Sequence, residues 1–231
     1  MYIIHYMAQA PKPPHKLKFA IIATDTVLLS VERGGLKVLL MEVDRPPFYT
    51  QRWGVPGGLI HPKETADQAA RRHLWEKAGA KFAYIEQLYT FSALDRDPRG
   101  RVVSVAYLAF TPTTDIAKRQ GSEVRWYSVE HLPKLAYDHR EVIQTAIERL
   151  RSKLAYTNVA FGLLPEEFTL SELQRLYEVI LGRRVDKRNF RKKLFQLKLV
   201  VGTKKKKRAG RSRPAELYRF VERKHKIVEI L

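Results

Sequence analysis

The stretch GLIHPKETADQAARRHLWEKAGA, residues 58–80, decides the fold. Within it Ala66, Ala69, Ala70 and Leu74 recur at the spacing of one helical face, Thr65 stands before them, and Gly79 ends the run. That predicts a helix over 65–78. Immediately upstream, WGVPGG (53–58) reads as a glycine-rich turn. Further out lie two apolar, β-branched-rich runs, KFAIIATDTVLLSV (18–31) and LKVLLMEV (36–43), separated by Glu32-Arg33-Gly34-Gly35. These read as two strands joined by a turn. Downstream, strands are expected over 82–91, 102–111 and 123–128, a loop over 96–100, and a helix over 139–154. Strands, one central helix, then more strands make a mixed α/β sandwich.

The central stretch resembles the Nudix box. Gly58, Glu64, Arg72, Leu74, Glu76 and Gly79 stand in register with that motif's glycine, glutamate, arginine, aliphatic, glutamate and final glycine. The resemblance implies a Nudix α/β/α sandwich. In active members it places carboxylates at positions 73, 76 and 77, on one helical face, where hard oxygen ligands hold Mg²⁺ against a diphosphate. Here those positions are His73, Glu76 and Lys77. One carboxylate remains. Lys77 also reverses the local field: a unit charge at about 4 Å, in an effective dielectric near 20, is worth on the order of 4 kcal/mol. That is a heavy penalty on a divalent ion unless the lysine swings away. The expectation is no enzyme, no metal and no cofactor. An unusual metal site around Glu64, with weak hydrolysis of ADP-ribose or a nucleoside-diphosphate sugar, is the alternative.

A site that loses its metal still has a shape in which to hold a ligand. The loop DRDPRGR (95–101) resembles the corresponding segment of Nudix proteins that act on ADP-ribose. On that resemblance Arg96, Arg99 or Arg101 would meet a diphosphate, because guanidinium offers a donor fork suited to phosphate oxygens. Arg52, Arg71, Arg72 and Glu76 are further candidates. Each has a plainer alternative, Arg72 that of bracing its helix through Glu64. Trp53 and Tyr107 stack on a base or pack the sandwich; Phe91 is expected in the core, and His61 and His73 as ordinary turn and helix residues.

The remaining third of the chain is different in kind. From residue 160 onward there are 20 basic and 8 acidic residues, against 23 and 16 before it, so the shorter segment holds +12 of a formal charge of +19. Such a field attracts a polyanion, although membrane adhesion or solubility would give the same count. Thr169, with Glu172 completing a capping box, starts a helix through Ile180 that Gly182 stops; Asp186 caps a second helix to about Leu197. Two helices joined by a few residues have the geometry of a helix-turn-helix. On the second, Phe190, Leu194 and Leu197 form one stripe and leave Lys187, Arg188, Asn189, Arg191 and Lys192 for a groove. Next come Leu199–Val201, the cationic turn GTKKKKRAGRSRP (202–214) and the strand ELYRFV (216–221), which read as a wing. Its Lys204, Lys205, Lys206, Lys207, Arg208, Arg211 and Arg213 suit phosphate contact. A solvated basic helix and a solubilising lysine tail are the plainer alternatives, the second opposed by the return of an alternating strand.

The chain is accordingly expected to divide into a Nudix-like sensing domain over 1–154 and a winged helix-turn-helix domain over 155–231. That architecture is similar to the Nudix-related transcriptional regulators of NAD metabolism. FTLSELQ (168–174), LGR (181–183), DKRNFRKK (186–193) and RPAELYRF (213–220) carry the similarity. It implies a homodimer on a palindromic duplex DNA operator, acting as a repressor. The expected effector is ADP-ribose or a related nucleotide, or a sugar. No membrane partner is expected, because no apolar run is long enough to cross a bilayer and the N-terminal residues do not make a secretory signal. The absence of cysteine fits a reducing, cytoplasmic setting.

Overall fold

The structure is a computed structural model that describes residues 19–32, 34–113, 123–208 and 214–230. Arg33 of the first turn, and Arg211 and Arg213 of the wing, lie outside the described residues. Strand β1 (Ile21–Glu32) has three neighbours. It pairs antiparallel with β2 (Gly35–Arg45) along its second half, antiparallel with β4 (Gly57–Leu59) along its first, and parallel with β6 (Val102–Phe110) over nearly its whole length. β3 (Tyr49–Gly54) and β7 (Val124–Ser128) extend β2, and β5 (Tyr84–Phe91) extends β6. Because β1 exchanges β4 for β2 partway along, the sheet parts there.

Val27, Leu28 and Leu29 are all buried, which an alternating strand shows only when both sheet faces are covered. Leu28, Leu39 and Ala109 pack beneath helix α1 (Ala66–Ala78) with Leu74 and Ala78. Val27, Leu29, Val38, Leu40, Leu108 and Phe110 face the other way, onto Val142, Ile143, Ala146 and Leu150 of helix α2 (His139–Tyr156). The α/β/α sandwich is thus formed by two helices on opposite faces. WGVPGG is only partly a turn: it ends β3 and begins β4.

A 3₁₀ turn (Val159–Gly162) leads into the C-terminal module of helices α3 (Leu170–Leu181) and α4 (Lys187–Gln196) and the hairpin of β8 (Val200–Lys207) with β9 (Ala215–Phe220). Both caps follow from the sequence. Thr169 Oγ1 accepts from the Glu172 amide at 3.1 Å while the Glu172 carboxylate accepts from the Thr169 amide at 2.7 Å, and Asp186 accepts from the Asn189 amide at 2.7 Å. Gly182 adopts φ 66°, the left-handed conformation that ends α3. Thr169→Ala removes one half of the capping box and should lower stability by about 1 kcal/mol, read as a reduced urea midpoint at unchanged slope.

The module shares one core with the sandwich. Leu150 and Leu154 of α2 pack in the same cluster as Phe161, Leu164, Phe168, Tyr177, Phe190 and Phe220. Arg151 Nε also donates to the Ile180 carbonyl at 2.9 Å, and α3 packs against β2. After β9 the chain returns across the end of α2: Val228 N–H donates to Tyr156 O and Ile230 N–H to Ala155 O, both at 2.8 Å, while the Asn158 side chain bonds the backbone at Lys224 and Lys226. No helix among the described residues is long and apolar enough to cross a membrane.

Candidate functional site

Where the sheet parts, a cavity of about 500 Å³ opens. That lies within the size range of small-molecule sites. β1 supplies Ile21, Ala23 and Asp25, β2 supplies Met41, Glu42, Val43 and Arg45, and β4 supplies Gly57–Leu59. Lys77 enters from α1, Arg96, Asp97 and Arg99 from the loop before β6, and Tyr137 and His139 from the start of α2. Gly57 is required by proximity: a Cβ there would stand 2.3 Å from an Asp25 carboxylate oxygen and 2.4 Å from the Thr24 carbonyl.

Asp25 is the hub of the inner wall. Its Oδ2 accepts from Ser104 Oγ at 2.6 Å and from Arg96 Nη2 at 3.0 Å, and its Oδ1 lies 3.4 Å from His139 Nε2. His139 Nδ1 accepts from the Val55 amide at 3.1 Å, which leaves the ring proton on Nε2, toward Asp25. Burial alone would raise the Asp25 carboxyl, but His139, Ser104 and Arg96 together hold it well below the usual carboxylate range. Arg96 then spans to α2, donating through Nε and Nη2 to Asp138 at 2.8 Å each. At the outer wall Arg99 grips Asp97 at 2.9 and 2.7 Å and lies 5.5 Å from the Tyr137 ring. Tyr137 in turn packs edge-on against Tyr49.

Of the nine candidate ligand residues the cavity receives Arg96 and Arg99. The other seven point elsewhere. Trp53 packs against Tyr127 and lies under Arg125, and Arg52 is part-exposed beside it on β3. Arg71 covers the Phe82 ring on the outer side of α1. Tyr107 is 2% exposed, its hydroxyl bonded to Asp67, so it faces α1. Arg101 ties down the preceding loop through the Ser92 and Ala93 carbonyls. Arg72 braces the box, donating to Glu64 at 2.5 and 2.9 Å, to Glu76 at 3.2 Å and to the Leu59 carbonyl. That bidentate grip holds the Glu64 carboxyl down at about 2.

The residues that would hold a divalent ion are therefore otherwise engaged. Both remaining box glutamates belong to Arg72, and buried His73 gives Nε2 to the Leu59 carbonyl at 3.1 Å. Lys77 does not swing away: its ammonium donates to the Gly57 carbonyl, on the cavity wall. Burial, then the nearby Arg45, pushes the Lys77 ammonium below its ordinary range. Among the described residues no three of His, Cys, Asp or Glu gather as a metal site. Mg²⁺ does not fit this donor set. Asp25, Tyr137 and His139 were not marked by any local pattern: Asp25 sits inside an apolar strand, and the other two lie about 110 residues downstream of it.

The second surface is on the C-terminal module. Phe190 and Leu194 bury one side of α4 and leave Lys187, Arg188, Asn189 and Lys192 exposed together. Arg191 differs from that expectation, being half-buried with Nη2 on Ser171 Oγ at 3.2 Å, so it ties α4 to α3. In the hairpin Lys204, Lys206 and Arg208 are exposed, while Lys205 pairs with Glu167 and Lys207 with Glu172, each at 2.8 Å. Exposed pairs of this kind contribute little to stability and yield readily to a phosphate.

Comparison with known proteins matches both parts of the chain to known families. The NUDIX domain family matches residues 22–146, and the NrtR DNA-binding winged helix domain family matches residues 160–220. The ADPR responsive transcriptional repressor NtrR of Acinetobacter baylyi is 36% identical over 206 residues, covering 87% of this chain and 82% of its own. Shewanella oneidensis NrtR in complex with a 27mer DNA superposes with a TM-score of 0.77 at 38% identity, over 86% of this chain and 93% of that one. The NUDIX domain of the same protein, complexed with ADP ribose, gives 0.53 at 36% identity over 61% and 94%.

Proposed function

This chain belongs to the NrtR family of Nudix and winged-helix regulators, and from that premise we propose that it is a transcriptional repressor whose operator affinity is set by ADP-ribose or a related nucleotide in the cavity. Residues 1–154 do the sensing and 155–231 bind duplex DNA. The Nudix part binds without turnover, since the box residues that would hold Mg²⁺ are committed to Arg72, Leu59 and Gly57.

One observation carries the reading: a single helix, α2, reaches from the cavity to the DNA-binding module. Its first residue, His139, is in the cavity wall and its cap position, Asp138, is held by Arg96; its last turns, at Leu150 and Leu154, are in the module's core. Eighteen residues span about 27 Å. A ligand that engages the groups around Asp25 and Arg96 therefore bears on one end of a rod whose other end positions α3 and α4. For switching, the ligand must bind the two placements of that rod unequally.

Within the module, Lys187, Arg188, Asn189 and Lys192 serve the major groove and Lys204–Arg208 the phosphates, with Arg211 and Arg213 assigned to the same wing on sequence alone. The ligand contacts are Arg96, Arg99 and Tyr137, with Asp25 and His139 behind them. We place the protein in the cytoplasm as a homodimer on a palindromic operator.

The test is titration of labelled promoter DNA, taken from beside the protein's own gene, with and without ADP-ribose, NAD or a pentose. ADP-ribose should shift the operator Kd by fivefold or more, within the usual range of coupling between sites. An operator Kd unmoved by saturating ADP-ribose, or sustained AMP release from ADP-ribose in Mg²⁺, would count against the reading.

A further inference from the structure

A Nudix box brings with it the expectation of a divalent cation, yet this cavity has kept its volume while losing the ion's ligands. What stands in their place is itself cationic. The wall carries Arg45, Lys77, Arg96 and Arg99. Arg96 is matched by Asp25 and Asp138, and Arg99 by Asp97. Lys77 and Arg45 make no ion pair with a carboxylate among the described residues: Lys77 donates to the Gly57 carbonyl and Arg45 to the Asp44 carbonyl. An ammonium has three donors, so two of those on Lys77 remain unused by Gly57.

We propose that Lys77 takes over the divalent cation's task, its ammonium, seated on the Gly57 carbonyl and assisted by Arg45, binding the effector's diphosphate directly and without metal. This deepens the effector reading above and rests on it for the nature of the ligand. Lys77 is partly desolvated beside the exposed Arg45, and a dianion between the two cations relieves their repulsion. Lysine also separates holding from hydrolysis. It neutralises phosphate oxygens, but it does not lower the pKa of a bound water to make a nucleophile as a metal ion does. The substitution that removes catalysis is thus the same one that preserves recognition.

The experiment is calorimetric titration of the full chain with ADP-ribose, ADP and inorganic pyrophosphate, once in EDTA and once in Mg²⁺. Wild type should bind with the same Kd, within twofold, in both buffers. Lys77→Arg should stay within about threefold of wild type, Lys77→Gln should weaken binding at least tenfold in both, and Lys77→Glu should weaken it further in EDTA. Melting temperature and operator retention report whether each variant is folded, and Lys77→Arg carries the test should the glutamine variant fail to fold. Tenfold or greater tightening of wild type by Mg²⁺, or a glutamine variant that binds as wild type does, overturns the proposal. Binding of ADP or pyrophosphate without ADP-ribose would sink the effector reading alone, leaving the lysine to be judged on those ligands. Absence of binding by all three overturns both.

Discussion

Replacing Lys204, Lys205, Lys206 and Lys207 together by alanine is expected to weaken binding to any duplex about a hundredfold or more near physiological salt, and to flatten the salt dependence. Each phosphate neutralised by a protein cation contributes about 0.9 to the slope of log K against log salt. Four wing lysines on phosphates therefore account for a slope change of up to about 3.6 units, and any that stay on Glu167 or Glu172 reduce that figure. The loss should be similar for operator and unrelated DNA, because phosphate contacts position the protein without reading sequence. Arg188→Ala on α4 supplies the contrast: about 1–3 kcal/mol lost on the operator, little on unrelated duplex. Fluorescence anisotropy over a salt series measures both. A quadruple variant with an unchanged slope would remove the hairpin from the interface.

The second large effect is on stability. Arg96→Met leaves Asp25 and Asp138 without the guanidinium that now joins them, two carboxylates that are only slightly exposed. Breaking a buried ion pair by removing one partner costs about 3–5 kcal/mol, since the other charge stays desolvated and uncompensated. The deficit should follow pH with a definite sign. In wild type the Asp25 carboxyl lies well below its ordinary value, so its contribution is complete above about pH 4 and is lost only as pH falls further. In the variant the freed Asp25 carboxylate takes up a proton more easily, so the gap between the two proteins should be widest near neutrality and narrow in acid. Arg96→Met combined with Asp25→Asn should recover part of the loss. Urea midpoints at pH 7 and pH 4 decide it: a deficit under about 1 kcal/mol at neutrality, or one that widens in acid, contradicts the assigned network.

What could be read from the sequence was what is decided locally. Thr65, Gly79, Thr169 with Glu172, Gly182 and Asp186 place the helix ends because a cap acts over three or four residues. The continuous apolar, β-branched-rich runs over 21–43 and the periodic stripe of Phe190 and Leu194 were equally legible. β3 and β4 were not, because what makes them strands is pairing with β2 and β1, and a glycine-rich string carries no trace of that. The same limit applies to the cavity. Arg96 and Arg99 stand out in a charged loop, but Asp25 looks like one polar residue in an apolar strand, and only the fold brings it to Arg96 and His139. Arg52 and Arg71 lay beside or within the box in sequence while their strand and helix faces turned them away from the cavity, and Arg101 shares the loop of Arg96 and Arg99 but is tied back to the Ser92 and Ala93 carbonyls. Lys77 was recognisable as a departure; where its ammonium would settle depended on the Gly57 carbonyl.

The returning strap of residues 221–230 gives the joint between sensor and head a particular mechanical character. Backbone bonds from Val228 and Ile230 to Tyr156 and Ala155 stitch the chain's last described residues to the far end of α2, and Arg223 clasps the carbonyls of Phe161 and Leu164 beside them. The head is keyed to its shaft instead of hanging from a tether. It cannot swing freely, so any motion reaching the DNA has to come from the shaft itself. Over a lever of about 27 Å, a tilt of about 5° at the cavity end carries the far end by about 2 Å. That is enough to lift a row of lysines out of register with phosphates, and small enough to be set by one molecule in the cavity.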